Sequence, residues 1–311
     1  MKHFISTKDL SNPEQSVQEA IEMKKDPRRD VELGKGKTLG LLFFNNSLRT
    51  RLSTQKAAQN LGMNVMVMNF GQEGWQLEYE DGTVMDQGTS EHVKEAAQVV
   101  SQYCDIIGIR AFADLKDKEQ DYAEKVISAF EKYATVPILN MESAIRHPLQ
   151  ALTDLITIEE TKTKSRPKVV LTWAPHPKAL PQAVANSFVE VMKSADVDLV
   201  VTCPEGYELD DEFMEGVTLE HDQKKAFEGA DFVSAKNWSN VKDYGKVLNQ
   251  DPKWMVEDLE SQTKFMHCLP VRRNVVVADQ VLDGPNSLVI EQANNRTYAA
   301  QVVLKELLKN G

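Results

Sequence analysis

The sequence predicts an α/β protein of two doubly wound parallel-sheet domains bridged by helices, and three observations predict it. Short apolar runs alternate with amphipathic helical stretches along nearly the whole chain. The alternation runs through two halves, which meet near Leu149–Glu160, a helical stretch placed to bridge them. At 311 residues the chain is long enough for two substantial cores.

The first half begins with an amphipathic helix at Pro13–Lys25 after Ser11-Asn12, followed by a charged connector, Asp26–Lys37. Gly36-Lys37-Thr38 is no phosphate loop, because it precedes a strand and lacks the upstream glycine. Leu39–Phe44 is a buried strand, Leu48–Leu61 a helix, and Asn64–Met68 a second strand. A helix at His92–Tyr103, a strand at Ile106–Ile109, a helix at Gln120–Tyr133 and a strand at Val136–Asn140 follow. The second half offers strands at Val169–Trp173, Val197–Thr202, Phe232–Ala235, Phe265–Leu269 and Leu288–Ile290. Helices are expected at Leu180–Ala195, near Lys224–Glu228 and at Asn295–Lys309.

Composition narrows the function. Hydrophobic content of 41% with 27% charged residues is that of a globular protein. A net charge of −11 argues against nucleic acid as the main partner. No stretch reaches the length of a membrane span, and the N-terminus lacks a signal-peptide core. Cys104, Cys203 and Cys268 are an odd, widely spaced set, which fits a reducing cytoplasm better than a disulfide framework or a zinc site. No metal-ligand cluster and no cofactor motif stand out. No G-x-G-x-x-G follows a strand, so a dinucleotide enzyme is disfavoured.

In open α/β sheets, ligands gather beyond the carboxyl ends of the strands. Phe44-Asn45-Asn46-Ser47-Leu48-Arg49-Thr50-Arg51 carries the chain from a strand to a helix N-terminus. Backbone N–H groups, two hydroxyls and guanidinium charge converge there, an arrangement suited to phosphate; the alternative is an ordinary capped helix with solvated arginines. Arg110 follows another strand, where it is otherwise a surface arginine. Asn140-Met141-Glu142 runs on to Arg146-His147-Pro148-Leu149-Gln150. A histidine before proline is held extended, and glutamine offers both a donor and an acceptor. In the second half, Trp173-Ala174-Pro175-His176-Pro177 and His267-Cys268-Leu269-Pro270 follow strands.

These motifs, in this order, resemble the aspartate/ornithine carbamoyltransferases. Ser-Leu-Arg-Thr-Arg at 47–51 is similar to their Ser-Thr-Arg-Thr-Arg phosphate loop, with Leu48 in place of a threonine. His147-Pro148-Leu149-Gln150 is similar to their His-Pro-x-Gln motif, and His267–Pro270 to the His-Cys-Leu-Pro of the ornithine-type enzymes. Trp173–Pro177, Ala235–Trp238 and Leu269–Asn274 resemble the N-acetylornithine and N-succinylornithine subgroup. The Asp-Gly-Asn-Asn and Ser-Met-Gly stretches of plain ornithine enzymes are missing. That subgroup carries a trefoil knot in its second domain, made by a proline-rich loop where Pro175, Pro177 and Pro181 stand here.

The resemblance implies a carbamoyl-phosphate domain at 1–147, with helix 295–311 packing back on it, and an N-acylornithine domain at 148–294. It implies that Ser47, Leu48, Arg49, Thr50, Trp75, Arg110, His147, Pro148, Leu149, Gln150 and Arg296 bind carbamoyl phosphate. Glu91, Glu142, His176, Lys236, Cys268, Leu269, Arg272 and Arg273 would bind the acylated amino acid. Arg49, Arg110, His147 and Cys268 would carry the catalysis, with no metal. The reaction would move a carbamoyl group to the δ-amine of an N-acylornithine, in arginine biosynthesis. Trp75 would reach a neighbouring subunit's site in a homotrimer, or else pack on its own domain. The acyl group stays open. In the family a glutamate near Ser90-Glu91-His92 goes with acetyl substrates and a proline with succinyl ones. The shorter chain looks succinyl-type, and Val276 stands where acetyl-type relatives have lysine. Plain ornithine carbamoyltransferase and a non-catalytic metabolite sensor are the rivals.

Overall fold

The computed structural model describes residues 1–310. Gly311, the last residue of the expected helix 295–311, lies outside them. The strands are β1 (Thr38–Phe43), β2 (Asn64–Asn69), β3 (Leu77–Glu78), β4 (Glu91–His92), β5 (Ile106–Arg110), β6 (Ile138–Glu142), β7 (Lys168–Trp173), β8 (Asp198–Thr202), β9 (Thr218–Glu220), β10 (Phe232–Lys236) and β11 (Lys264–Met266).

The chain forms two compact units. The first comprises Met1–Ala113, Glu119–Leu149 and the chain from Arg296; the second comprises Asp114–Lys118 and Gln150–Asn295. The division falls inside two helices, Pro148–Thr161 and Val289–Asn310.

The first unit holds a four-stranded parallel sheet in the order β2-β1-β5-β6. From β1 the chain first builds outward to β2 and then returns to lay β5 on the other side. That reversal creates a crevice between β1 and β5 at their carboxyl ends. Phe43 pairs with Arg110 in register, so the loop after β1 and the Arg110 side chain emerge together. Buried Leu39, Leu41, Leu42, Phe43, Ile106, Ile107 and Ile109 explain why these strands read as continuous apolar runs. Gly62, at φ +82, closes the Arg49–Asn60 helix; a Cβ there would run into the Val31 carbonyl.

The second unit holds a five-stranded parallel sheet in the order β11-β10-β7-β8-β9. Its reversal lies between β7 and β10, where Trp173 pairs with Lys236. Both expected binding loops therefore leave the sheet at a switch point.

Several expected elements differ. Leu288–Ile290 is not a strand. Ser287 bridges Phe265, and the final helix already begins at Val289, six residues earlier than expected. A three-residue apolar run cannot by itself tell strand from helix start. The expected strand Phe265–Leu269 stops at Met266, because Leu269 turns to φ +54 before Pro270. Gln120–Tyr133 is two helices, Lys118–Tyr122 and Lys125–Tyr133, broken at Glu124 with φ +46. Between β2 and β4, where no element was expected, lie a short helix, Phe70–Glu73, and β3, which pairs in parallel with β4.

Candidate active site

In the first unit the helix after β1 starts at Arg49. Leu48 occupies the cap position in helical conformation, so the capping contact comes one residue earlier: Ser47 Oγ accepts from the Thr50 N–H at 3.3 Å. Leu48 is 67% exposed, so replacing a threonine there leaves an apolar side chain in water rather than a gap. Thr50 is buried, and its Oγ1 accepts from Arg296 Nη2 at 2.7 Å. The far end of the chain thus brings a second guanidinium to the start of this helix.

Arg110 is buried at the end of β5. Its Nη1 donates to the carbonyls of Asn45 and Asn46 at 3.1 and 3.0 Å, and its Nη2 to Glu142 Oε2 at 2.7 Å. Its Cζ lies 4.8 Å from the centre of the Phe112 ring. One rigid fork therefore ties the β1 loop to the end of β6. His147, 3% exposed, places Nε2 3.7 Å from the same Glu142 oxygen. Glu142, expected among the acceptor-binding residues, accordingly sits with Arg110 and His147. Pro148 and Leu149 open the next helix, where a proline at the first position costs no hydrogen bond.

Trp75 and Glu91 meet within the first unit. The indole Nε1 donates to Glu91 Oε2 at 2.8 Å while the ring stays 58% exposed. The bond fixes the carboxylate but leaves the aromatic face in solvent.

In the second unit a cavity of about 640 Å³ is lined by Pro175, His176, Pro177, Val271, Arg272 and Arg273, among others. Arg272 Nε donates to His176 Nε2 at 3.0 Å, and the ring's Nδ1 lies 2.8 Å from the Lys178 carbonyl and 3.1 Å from the Lys178 nitrogen. Burial, with Arg272, Lys236 and Lys178 nearby, pushes His176 below the usual histidine range and keeps it neutral. Arg273 is spent differently: Asp279 and Asp283 hold it in a tight ion-pair set at 2.7–2.8 Å. Arg272 is thus the guanidinium with fewer carboxylate partners on that wall. Lys236 ends β10 beside the β7 loop. Cys268 is half-buried, and the Leu269–Pro270 bond is cis. Val276 is buried among Val256, Phe265 and Val277, so that position serves the core.

Three contributions were missed from sequence. The carbonyls of Asn45 and Asn46 carry no side-chain signal. Phe112 lies just past a strand end and reads as core. Asp154, whose Oδ1 accepts from Gln150 Nε2 at 2.7 Å, could have been found, because it stands one helical turn after Gln150.

Sequence models of the family's two domains match this chain: aspartate/ornithine carbamoyltransferase, carbamoyl-P binding domain, over residues 2–160, and the Asp/Orn binding domain over 181–307. The chain belongs to the aspartate/ornithine carbamoyltransferase family. Within this family it is 52% identical to the N-succinylornithine carbamoyltransferase of Bacteroides thetaiotaomicron, over 99% of both chains. It is 36% identical to the N-acetylornithine carbamoyltransferase of Xanthomonas campestris, over 99% of this chain and 98% of the relative. The crystal structure of acetylornithine transcarbamylase complexed with acetylcitrulline superposes with a TM-score of 0.92 at 36% identity, covering 99% of each chain. A mutant N-acetyl-L-ornithine transcarbamylase complexed with carbamyl phosphate and N-succinyl-L-norvaline matches with a TM-score of 0.92 at 35% identity.

Proposed function

We propose that this protein is a carbamoyltransferase that moves the carbamoyl group of carbamoyl phosphate to the δ-amine of N2-succinyl-L-ornithine, giving N-succinylcitrulline and phosphate in arginine biosynthesis. The observation that carries the reading is full-length 52% identity to N-succinylornithine carbamoyltransferase, joined to the Arg110–Glu142–His147 cluster beside the 47–50 loop.

Ser47, Leu48, Arg49, Thr50, Arg110 and Arg296 hold the phosphate, partly through backbone N–H groups at the helix start. His147 and Gln150 hold the carbamoyl oxygen and amide, where developing charge gains most from fixed donors. Lys236 and Arg272 pair with the α-carboxylate of the acceptor. Neutral His176 adds no third charge to that wall. Cys268 and the Leu269 carbonyl orient the δ-amine, which must be neutral to attack although a free alkylammonium titrates near ~10.4. The amine nitrogen bonds to the carbonyl carbon, the carbon–oxygen bond to phosphate breaks, and the departing phosphate takes the amine proton. No general base is needed beyond it.

N-acetylornithine is the second acceptor to consider. Glu91 would repel a succinyl carboxylate, but the Trp75 indole holds that glutamate by a hydrogen bond. Initial rates with ornithine, N-acetylornithine and N-succinylornithine side by side decide the matter. The succinyl compound should turn over fastest and ornithine least; the reverse order would assign the chain to plain ornithine carbamoylation, and no citrulline-type product from any would favour a sensor.

The proposal extends to a cytoplasmic homotrimer with shared sites. Leu48, Leu52, Met66, Met68 and Trp75 of the first unit are exposed apolar side chains that a second copy could cover. Mixing inactive Trp75→Ala and Arg49→Ala proteins should restore part of the activity if subunits share sites. No recovery would make Trp75 a local residue. A trefoil knot in the second unit belongs to the same reading. It is supported by the proline loop at 174–182, which is bonded to 237–239: Asn237 Nδ2 to the Ala174 carbonyl at 2.7 Å, the Ser239 N–H to the Leu180 carbonyl at 2.8 Å, and Gln182 Nε2 to the Ser239 carbonyl at 2.7 Å.

A further inference from the structure

A buried polar chain runs through the second unit. Asp154 Oδ1 accepts from Gln150 Nε2 at 2.7 Å and from Gln292 Nε2 at 2.6 Å. Gln292 Oε1 in turn accepts from the His267 N–H at 2.9 Å, and His267 Nδ1 accepts from the Leu269 N–H at 2.9 Å. Gln150, Asp154, Gln292 and His267 are all essentially removed from water. Burying a carboxylate and two amides is costly unless their bonds are made, so this chain tolerates few alternative arrangements.

The direction of the chain is fixed by chemistry. An aspartate oxygen only accepts, so each glutamine must point its NH₂ end at Asp154. Gln292 is thereby forced to present its carbonyl oxygen to the His267 N–H. That anchors the first residue of His267-Cys268-Leu269-Pro270, and the His267 ring then anchors Leu269. At the other end the same aspartate sets the orientation of the Gln150 amide.

We infer that Asp154 and Gln292 are positioning residues: they couple the amide that handles the carbamoyl group to the turn that orients the attacking amine. The inference rests on the carbamoyl-transfer reading for the roles of Gln150, Cys268 and Leu269. In that reading neither Asp154 nor Gln292 is assigned to the carbamoyl group or to the attacking amine. Their effect is on kcat through geometry, since misplacing reacting groups is expensive even when both substrates still bind.

The test is steady-state kinetics on purified full-length variants with carbamoyl phosphate and N-succinylornithine, alongside thermal melting. Asp154→Ala should lower kcat about 10- to 100-fold, as for loss of hydrogen bonds to a charged group. Both KM values should move by less than about threefold, the pattern of a lost transition-state contribution. Asp154→Asn keeps an acceptor oxygen at the branch point and should recover much of kcat. Gln292→Met, which keeps the volume, carries the test if Asp154→Ala does not fold. The losses in Gln150→Ala and Gln292→Met should combine less than multiplicatively in the double variant. Multiplicative losses, or variants that melt earlier while keeping kcat within about twofold of the parent, would overturn the coupling. A parent protein with no product from any N-acylornithine would instead overturn the functional reading itself.

Discussion

Arg110→Met is expected to lower kcat/KM for carbamoyl phosphate by roughly 10²- to 10⁴-fold. The side chain does three things at once. Under the proposed function it brings positive charge to the phosphate, and in the structure it holds the Asn45 and Asn46 carbonyls and pairs with Glu142. Removing one partner of a buried ion pair costs about 3–5 kcal/mol, because the other charge stays behind. Here that residual charge is the Glu142 carboxylate, which under the proposed function would face the phosphate, so the electrostatic sign is wrong as well as the geometry. Arg110→Lys should rescue little, since a point charge cannot span three acceptors as a planar fork does. A loss below about tenfold would mean that the phosphate is bound by other groups.

His147→Phe should act on kcat. An aromatic ring is kept, but the imidazole donor proposed to face the carbamoyl oxygen is gone. Deleting one such donor lowers turnover about 10²- to 10³-fold in acyl-transfer enzymes. Binding of carbamoyl phosphate should weaken far less, because the groups proposed to hold its phosphate, Arg110, Arg296 and the 47–50 backbone, are all still present. Equal losses in kcat and in donor affinity would place His147 on the phosphate instead.

Much of the fold was legible in the chain because the relevant signals are local. Leu39–Phe44 and Ile106–Ile109 announce buried parallel strands by their unbroken apolar runs, and the residues after them follow at once. The failures also have local causes. Leu288-Val289-Ile290 is too short a run to carry a period, and the helix that claims Val289 draws its stability from packing further along. The break at Glu124 depends on one left-handed residue that is not glycine, which no propensity announces. Long-range pairings were hidden for a different reason. Arg296 and Thr50 stand 246 positions apart, and only the folded chain brings a guanidinium to that hydroxyl. Likewise, Glu142 reads as one more polar residue after a strand; its tie to Arg110 comes from adjacent β5 and β6 ending together.

The most direct test is a crystal structure of the protein with carbamoyl phosphate. The account predicts the phosphate at the start of the Arg49–Asn60 helix, its oxygens within ~3 Å of the 47–50 backbone N–H groups and of Arg110. The carbamoyl oxygen should face His147. Carbamoyl phosphate bound away from Ser47–Thr50 and Arg110, or no binding at millimolar concentration, would contradict it.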